Sequence, residues 1–125
     1  MIDGIETSAR LLVMKIEKKK DMIERIKKLF RNRASTDYKR LLDEGARIVD
    51  VRTPTEYSGG HIPESINIPL SLLSRKIRRI GKNEQIILCC ASGMRSGSAK
   101  ATLLSLGYRN VHDGGSWNSL MAKIK

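Results

Sequence analysis

The segment Gln85–Ser96, with the sequence QIILCCASGMRS, decides the fold of this chain. Its first half is a short apolar run with two adjacent isoleucines, which predicts a buried strand. A loop that contains Gly93 follows, and the small residues of Ser96–Leu106 predict a helix that ends before Gly107. A buried strand, a tight loop and a helix in this order are typical of a parallel sheet that is covered by helices.

The same alternation of strands and helices extends in both directions from this segment. Further short strands are predicted at residues 46–51, 66–68 and 109–112, with helical segments between them. The pair Gly114-Gly115 is expected to turn the chain into a C-terminal helix that begins near Ser116. We therefore expect an α/β domain at residues 34–125 with a mostly parallel sheet, in which ligands bind at the carboxyl ends of the strands.

Residues 1–33 have a different character and predict a basic amphipathic helical extension. This part holds ten Lys/Arg and five Asp/Glu, and its apolar residues recur with helical spacing. The stripe consists of Ile5, Ala9, Leu12, Ile16, Ile23, Ile26 and Phe30. Several roles stay open for residues 5–30, namely packing on the rest of the chain, self-association, contact with an acidic partner, and contact with a membrane surface.

Composition excludes several classes of protein. The chain has 125 residues and a net charge of +11, and its two cysteines are adjacent, which excludes a disulfide scaffold. No apolar run approaches the roughly 20 residues that span a bilayer. The first residues do not resemble a signal peptide, so we expect a cytoplasmic protein with reduced thiols. Nucleic-acid binding is not expected, because no aromatic residues are interleaved with the basic ones.

The loop after the buried strand carries the candidate chemistry. A cysteine at this point faces backbone N–H groups and the positive end of a helix, and both lower a thiol pKa. Gly93 allows the loop to curl so that successive N–H groups point inward, and Arg95 adds a positive charge. We therefore predict that Cys90 is a thiolate nucleophile and that Cys89 is a small buried residue. The candidate loop residues are Ala91, Ser92, Gly93, Met94, Arg95 and Ser96.

Two charged residues at the end of another strand are candidates for supporting roles. Asp50 is predicted either to order loop N–H groups or to pair with an arginine. Arg52 is predicted either to pair with Glu56 or to line the rim of the pocket. Ser96 is a candidate donor to a bound anion and a candidate N-cap of the following helix.

Three separated segments together resemble a rhodanese homology domain of the single-domain sulfurtransferase type. They are IVDVR at residues 48–52 with Glu56-Tyr57, GHIPESINIP at 60–69, and CASGMRS at 90–96. The resemblance runs from about residue 36 to 118 and implies a parallel five-stranded sheet flanked by helices. It also implies that Cys90 carries a sulfane sulfur as a persulfide. A small anionic donor such as thiosulfate loads this sulfur, and cyanide, a thiol or a protein acceptor removes it; no metal or organic cofactor is implied.

Two other functions stay open at this point. Counted from Cys89, the loop also has the Cys-x5-Arg spacing of cysteine-dependent phosphatases, although Leu88 stands where those enzymes usually have histidine. The domain is alternatively a non-catalytic binding or regulatory module. The loop offers Arg95 alone to hold an anionic donor, which argues against thiosulfate as the natural one. Glu64-Ser65 departs from the Gly-Ala that is common in the family, and this affects local packing more than activity.

Overall fold

The computed structural model describes the backbone of residues 2–34 and 36–125 and the side chains of residues 9–27 and 36–125. The chain divides into two compact units, the first ending at Thr36 and the second beginning at Asp37. The first unit contains one long helix, α1 (Ile2–Ala34), so the prediction of an N-terminal helix is confirmed. Among the described residues, no helix is both long and apolar enough to cross a membrane.

The second unit is an α/β domain built on one parallel sheet. Its strands are β1 (Arg47–Asp50), β2 (Ile66–Asn67), β3 (Ile86–Cys90) and β4 (Val111–Ser116). Its α-helices are α2 (Tyr38–Asp43), α3 (Pro54–Ser58), α4 (Leu73–Lys76), α5 (Met94–Ser105) and α6 (Trp117–Ile124), and 3-10 turns at Leu70–Leu72 and Ile77–Arg79 flank α4. The strands lie in the order β2-β1-β3-β4, and every neighbouring pair is parallel.

The described part of the chain forms four strands, so the expected count of five is wrong. The fifth strand was implied by the family resemblance and would precede α2. Instead, the chain before Ala34 is helical, in agreement with its helical stripe and its lack of a β-branched run. At the edge strand β4, the carbonyl of Asp113 accepts a hydrogen bond from the hydroxyl of Tyr38, the first residue of α2, at 3.1 Å.

Strand β4 continues through Gly114 and Gly115, where the sequence predicts a turn. A Cβ at Gly114 would lie 2.8 Å from the carbonyl oxygen of Leu88, so only glycine lets the two strands approach this closely. The pairing of β3 with β4 shifts register between Leu88 and Cys90, which places Ser116 opposite Cys90. Such a bulge re-aims side chains at the end of a strand, here beside the candidate nucleophile.

The two faces of the sheet support two separate apolar clusters, and the adjacent cysteines belong to different ones. Cys90 lies in the cluster that includes Leu73 of α4 and Leu103 of α5. Cys89 lies in the cluster that includes Leu41 of α2 and Leu120 of α6. Successive side chains of a strand point to opposite faces, so two neighbours in sequence have different surroundings. The two thiols therefore lie in different surroundings, and we expect them to differ in reactivity.

Candidate active site

The Cys90 sulfur lies beneath the loop that joins β3 to α5. Gly93 is the N-cap of α5 with φ of 98°, a left-handed conformation that favours glycine. The backbone N–H groups of Gly93 and Ser96 donate to Cys90 Sγ at 2.9 and 3.3 Å. The Cys90 residue is fully buried, so these donors meet a sulfur that water reaches poorly. The structure thus brings a cysteine, a curled loop and a helix N-terminus together.

The surroundings of Cys90 favour its thiolate. Burial raises the pKa of the thiol, but contacts with the Ser96 side chain and with the N–H groups of Ser96, Gly93 and Ser92 lower it. The pKa of Cys90 consequently lies below its ordinary value. Hydrogen bonds to a charged form favour that form, and the positive end of α5 acts in the same direction. A larger thiolate fraction makes a stronger nucleophile at neutral pH.

Ser96 supports the sulfur rather than capping the helix. Helix α5 begins at Met94, two residues before the predicted start, so Ser96 lies in its first turn and the prediction of Ser96 as N-cap is wrong. The Ser96 hydroxyl donates to the carbonyl of Gly93 at 3.0 Å, and its oxygen lies 3.6 Å from Cys90 Sγ. Because Ser96 is fully buried, it is a positioning residue for both the loop and the sulfur.

The charged residue of the loop, Arg95, is held by a carboxylate. Its guanidinium forms two hydrogen bonds with the Glu56 carboxylate, at 2.6 and 2.8 Å. The hydrogen bonds from Arg95, followed by one from the backbone of Thr53, lower the pKa of Glu56 to about 2. Glu56 also completes a capping box with Thr53 at the start of α3. Arg95 therefore faces the site as one half of an ion pair and not as a free cation.

Asp50 and Arg52 form a buried ion pair. Arg52 Nη2 lies 2.7 Å from Asp50 Oδ2, and the two side chains are 4% and 0% exposed. The same guanidinium donates to the carbonyls of Gly60 and Glu56 and stacks over the ring of Trp117 at 4.7 Å. Of the two roles predicted for Asp50, the structure contains the arginine pair. Arg52 contacts Glu56 through the backbone carbonyl, and its guanidinium is buried in the pair with Asp50.

The remaining loop residues lie at the surface. Ala91, Ser92 and Met94 are exposed, and 82% of Met94 is accessible to solvent.

Asn67, at the carboxyl end of β2, was not predicted as a site residue, and its side-chain amide donates to the carbonyls of Asp50 and Arg52. It therefore joins β2 to the turn that carries the ion pair. The Thr-x-x-Glu spacing at residues 53–56 was a sequence signal for the position of Glu56 but not for its partner.

Cys89 faces different surroundings on the opposite side of the sheet. Burial is the main reason that the pKa of its thiol is raised to about 12, and the nearby Asp50 carboxylate raises it further. Cys89 therefore stays a neutral thiol at physiological pH.

Within residues 9–27 and 36–125, no three side chains of His, Cys, Asp or Glu are grouped to hold a metal ion.

Comparisons with known proteins agree with this geometry. Residues 34–120 match the family described as the rhodanese-like domain. A sulfurtransferase of Allochromatium vinosum is 38% identical over 73 residues, which cover 58% of this chain and 68% of that protein. A thiosulfate sulfurtransferase of Escherichia coli is 35% identical over 80 residues, which cover 62% of this chain and 77% of that protein.

A solved structure has the same architecture. The structure described as a rhodanese with anions from E. coli has a TM-score of 0.58 and 32% identity, and the match covers 60% of this chain and 91% of that one. Among the first curated relatives, the chain spans between 37% and 77% of the relative's length. The match to the family covers more than half of the chain and includes β1–β4 and the Cys90 loop. The chain therefore belongs to the rhodanese-like domain family.

Proposed function

We propose that this protein is a sulfurtransferase that carries sulfane sulfur as a persulfide on Cys90. The observation that supports this most directly is the convergence of loop N–H groups on Cys90 Sγ. These donors lower the pKa of a buried thiol and would also stabilise the terminal sulfur of a persulfide, which is an anion too. The names of the relatives from Allochromatium vinosum and E. coli support the same class of reaction.

The proposed reaction has two half-reactions that balance. In the first, the Cys90 thiolate attacks the outer sulfur of a donor such as thiosulfate, and a new sulfur–sulfur bond forms. The sulfur–sulfur bond of thiosulfate breaks, and sulfite leaves with the electron pair. In the second, cyanide or an acceptor thiolate attacks the outer sulfur of the persulfide, and Cys90 leaves as a thiolate. The products are then thiocyanate or the acceptor's persulfide, and the acceptor is a small thiol or a protein thiol.

The phosphatase alternative has weak support in this geometry. It requires a thiolate at Cys89 with the loop N–H groups around it. In the part of the chain that the structure describes, those groups donate to Cys90, while the pKa of Cys89 is raised to about 12. A neutral thiol on the opposite face of the sheet is a poor nucleophile for a phosphate held in the loop.

The proposal is tested by intact mass after treatment with thiosulfate. We expect the full chain to gain about 32 Da, the mass of one sulfur atom, and to lose it again when cyanide is added. Because the two cysteines are adjacent, the Cys89→Ser variant is measured beside the wild type to locate the added mass. The same gain in that variant supports Cys90 as the carrier.

Other outcomes of this experiment would contradict the proposal. The donors are thiosulfate and a persulfide of a small thiol, so that a poor match to one donor is not mistaken for inactivity. No gain in mass with either donor would indicate a non-catalytic module. Hydrolysis of an aryl phosphate without any gain in mass would indicate the phosphatase.

The Arg95–Glu56 pair is expected to limit the affinity for a doubly anionic donor. Glu56→Gln keeps a side chain that completes the capping box but removes the negative charge beside Arg95. We expect the KM for thiosulfate to fall by roughly fivefold or less, with a smaller change in kcat. The effect is modest because the ion pair is partly exposed to solvent. Steady-state kinetics of thiocyanate formation measure both quantities.

A matched control removes the same charge far from the site. Glu44→Gln breaks the exposed pair with Arg40, just before β1 begins, whereas the candidate site is at the other end of the strand. Its KM for thiosulfate should stay that of the wild type. A KM that is unchanged or higher in Glu56→Gln would contradict the prediction and would indicate that the pair mainly holds the loop in shape.

A further inference from the structure

Helix α1 exposes an apolar stripe along its described side chains. Leu12, Ile16, Ile23 and Ile26 are 61%, 47%, 50% and 46% exposed. Their spacings of four, seven and three residues place them on one face of the helix. Exposed apolar residues in a contiguous row mark a surface that binds something, whereas scattered ones need no explanation.

The charges beside this stripe have a single sign. In heptad terms the stripe occupies positions a and d, with Lys19 at the d position between Ile16 and Ile23. The charged residues at the flanking e and g positions are all lysines: Lys15, Lys20 and Lys27. The acidic residues of this part of the helix, Glu17, Asp21 and Glu24, lie outside these positions, and Glu24 forms an exposed ion pair with Lys27 at 3.7 Å. The charged residues that border the apolar face are therefore all basic.

This arrangement does not suit a dimer of two such helices. In a parallel pair, Lys15 of one copy would lie near Lys20 of the other, and like charges at these positions repel. In an antiparallel pair, g positions face g positions and e positions face e positions, so any charged pair among them would again consist of two lysines. Lys19 would also place a charge within the apolar seam. Stable coiled coils instead pair opposite charges at these positions, so self-association is disfavoured.

The same arrangement fits an anionic lipid surface. An amphipathic helix can lie in the plane of a membrane with its apolar side chains among the acyl chains, while flanking lysines reach the headgroups. From Leu12 to Lys27 the stripe is about 23 Å long, which provides several points of contact. Each lysine at the surface of an anionic membrane adds to the attraction. We propose that residues 12–27 of α1 bind the protein to membranes that carry anionic lipids.

The proposal is tested by flotation of the full chain with lipid vesicles. Vesicles of phosphatidylcholine are compared with vesicles that contain about 30% phosphatidylglycerol, at low and at high salt. We expect the protein to float with the anionic vesicles at low salt, to float less at high salt, and not to float with phosphatidylcholine alone. This readout does not depend on sulfur transfer, so the two proposals can fail separately.

Two sets of variants separate this surface from general basicity. K15Q/K19Q/K20Q/K27Q should lower the partition coefficient by at least about a hundredfold, and I16Q/I23Q should also reduce binding. The matched control R75Q/K76Q/R78Q/R79Q removes four charges from an exposed cluster in the second unit and should retain binding within about twofold.

Three outcomes would overturn the proposal. The first is no flotation with anionic vesicles at low salt. The second is an equal loss of binding in the lysine variant and in the matched control, which would make the contact a property of net charge. The third is a dimer in light scattering without vesicles that I16Q/I23Q converts to a monomer, which would show that the stripe is a seam between two copies.

Discussion

Replacing Cys90 by serine is expected to lower the rate of thiocyanate formation from thiosulfate and cyanide by at least about a thousandfold. A hydroxyl at this position is not ionised at neutral pH and cannot form a persulfide. The N–H groups of Gly93 and Ser96 would still converge there, so the substitution removes the nucleophile and leaves its surroundings in place. The assay measures thiocyanate by its coloured iron complex.

Cys89→Ser provides the control, because it makes the same chemical change one residue away. Cys89 points into the other apolar cluster and its thiol stays neutral, so we expect the variant to keep its rate within about threefold of the wild type. Thermal unfolding of both variants shows whether they fold, which separates loss of chemistry from loss of structure. Activity that survives in Cys90→Ser but disappears in Cys89→Ser would reverse the assignment of the nucleophile.

The strand–loop–helix pattern around the cysteines could be predicted because its signals are local. An apolar run followed by a loop with glycine and a helix places a cysteine at a helix N-terminus without knowledge of the rest of the chain. Alternation along a strand then puts Cys89 and Cys90 on opposite faces. The predicted start of α5 at Ser96 was two residues too late, because Gly93 serves as the N-cap and brings Arg95 into the first turn.

The partner of the Glu56 carboxylate could not be predicted in the same way. Arg52 and Glu56 are four residues apart, so a pair between their side chains was a reasonable local expectation. In the structure Arg95, 39 residues away, takes the Glu56 carboxylate, and Arg52 turns to Asp50. The contact of Arg95 with Glu56 depends on the order of the strands, which brings the segment after β1 and the segment after β3 together. No local pattern contains that information.

The two errors in the sheet have different causes. Gly114 and Gly115 are typical turn residues, yet both belong to β4, and at Gly114 the neighbouring Leu88 carbonyl leaves no room for a Cβ. Only the family resemblance implies the fifth strand, whereas the residues before Ala34 have helical spacing and form α1. The helical spacing of the first residues therefore predicts α1 correctly, whereas in β4 the pairing with β3 overrides the turn preference of the two glycines.

Replacing Arg52 by leucine is expected to lower the free energy of unfolding of the second unit by about 3–5 kcal/mol. The substitution leaves the carboxylate of Asp50 buried without its cation, and it removes the hydrogen bonds to the carbonyls of Gly60 and Glu56. Trp117, the only tryptophan of the chain, lies against Arg52 in this unit, so its fluorescence in a urea titration reports the unfolding. Circular dichroism provides a second probe that does not depend on the contact between these two side chains.

Arg47→Leu is the matched control, since it breaks an ion pair on the same strand that lies at the surface. Arg47 and Glu84 are 50% and 43% exposed, so the loss should be about 1 kcal/mol or less.

The double variant D50N/R52L tests the cause, because it removes the unpaired charge that Arg52→Leu leaves behind. It should be more stable than Arg52→Leu alone. If the two are equally unstable, the loss comes from packing against Trp117 and not from the buried carboxylate. A loss in Arg52→Leu no larger than that in Arg47→Leu would show that the buried pair contributes no more than an exposed one.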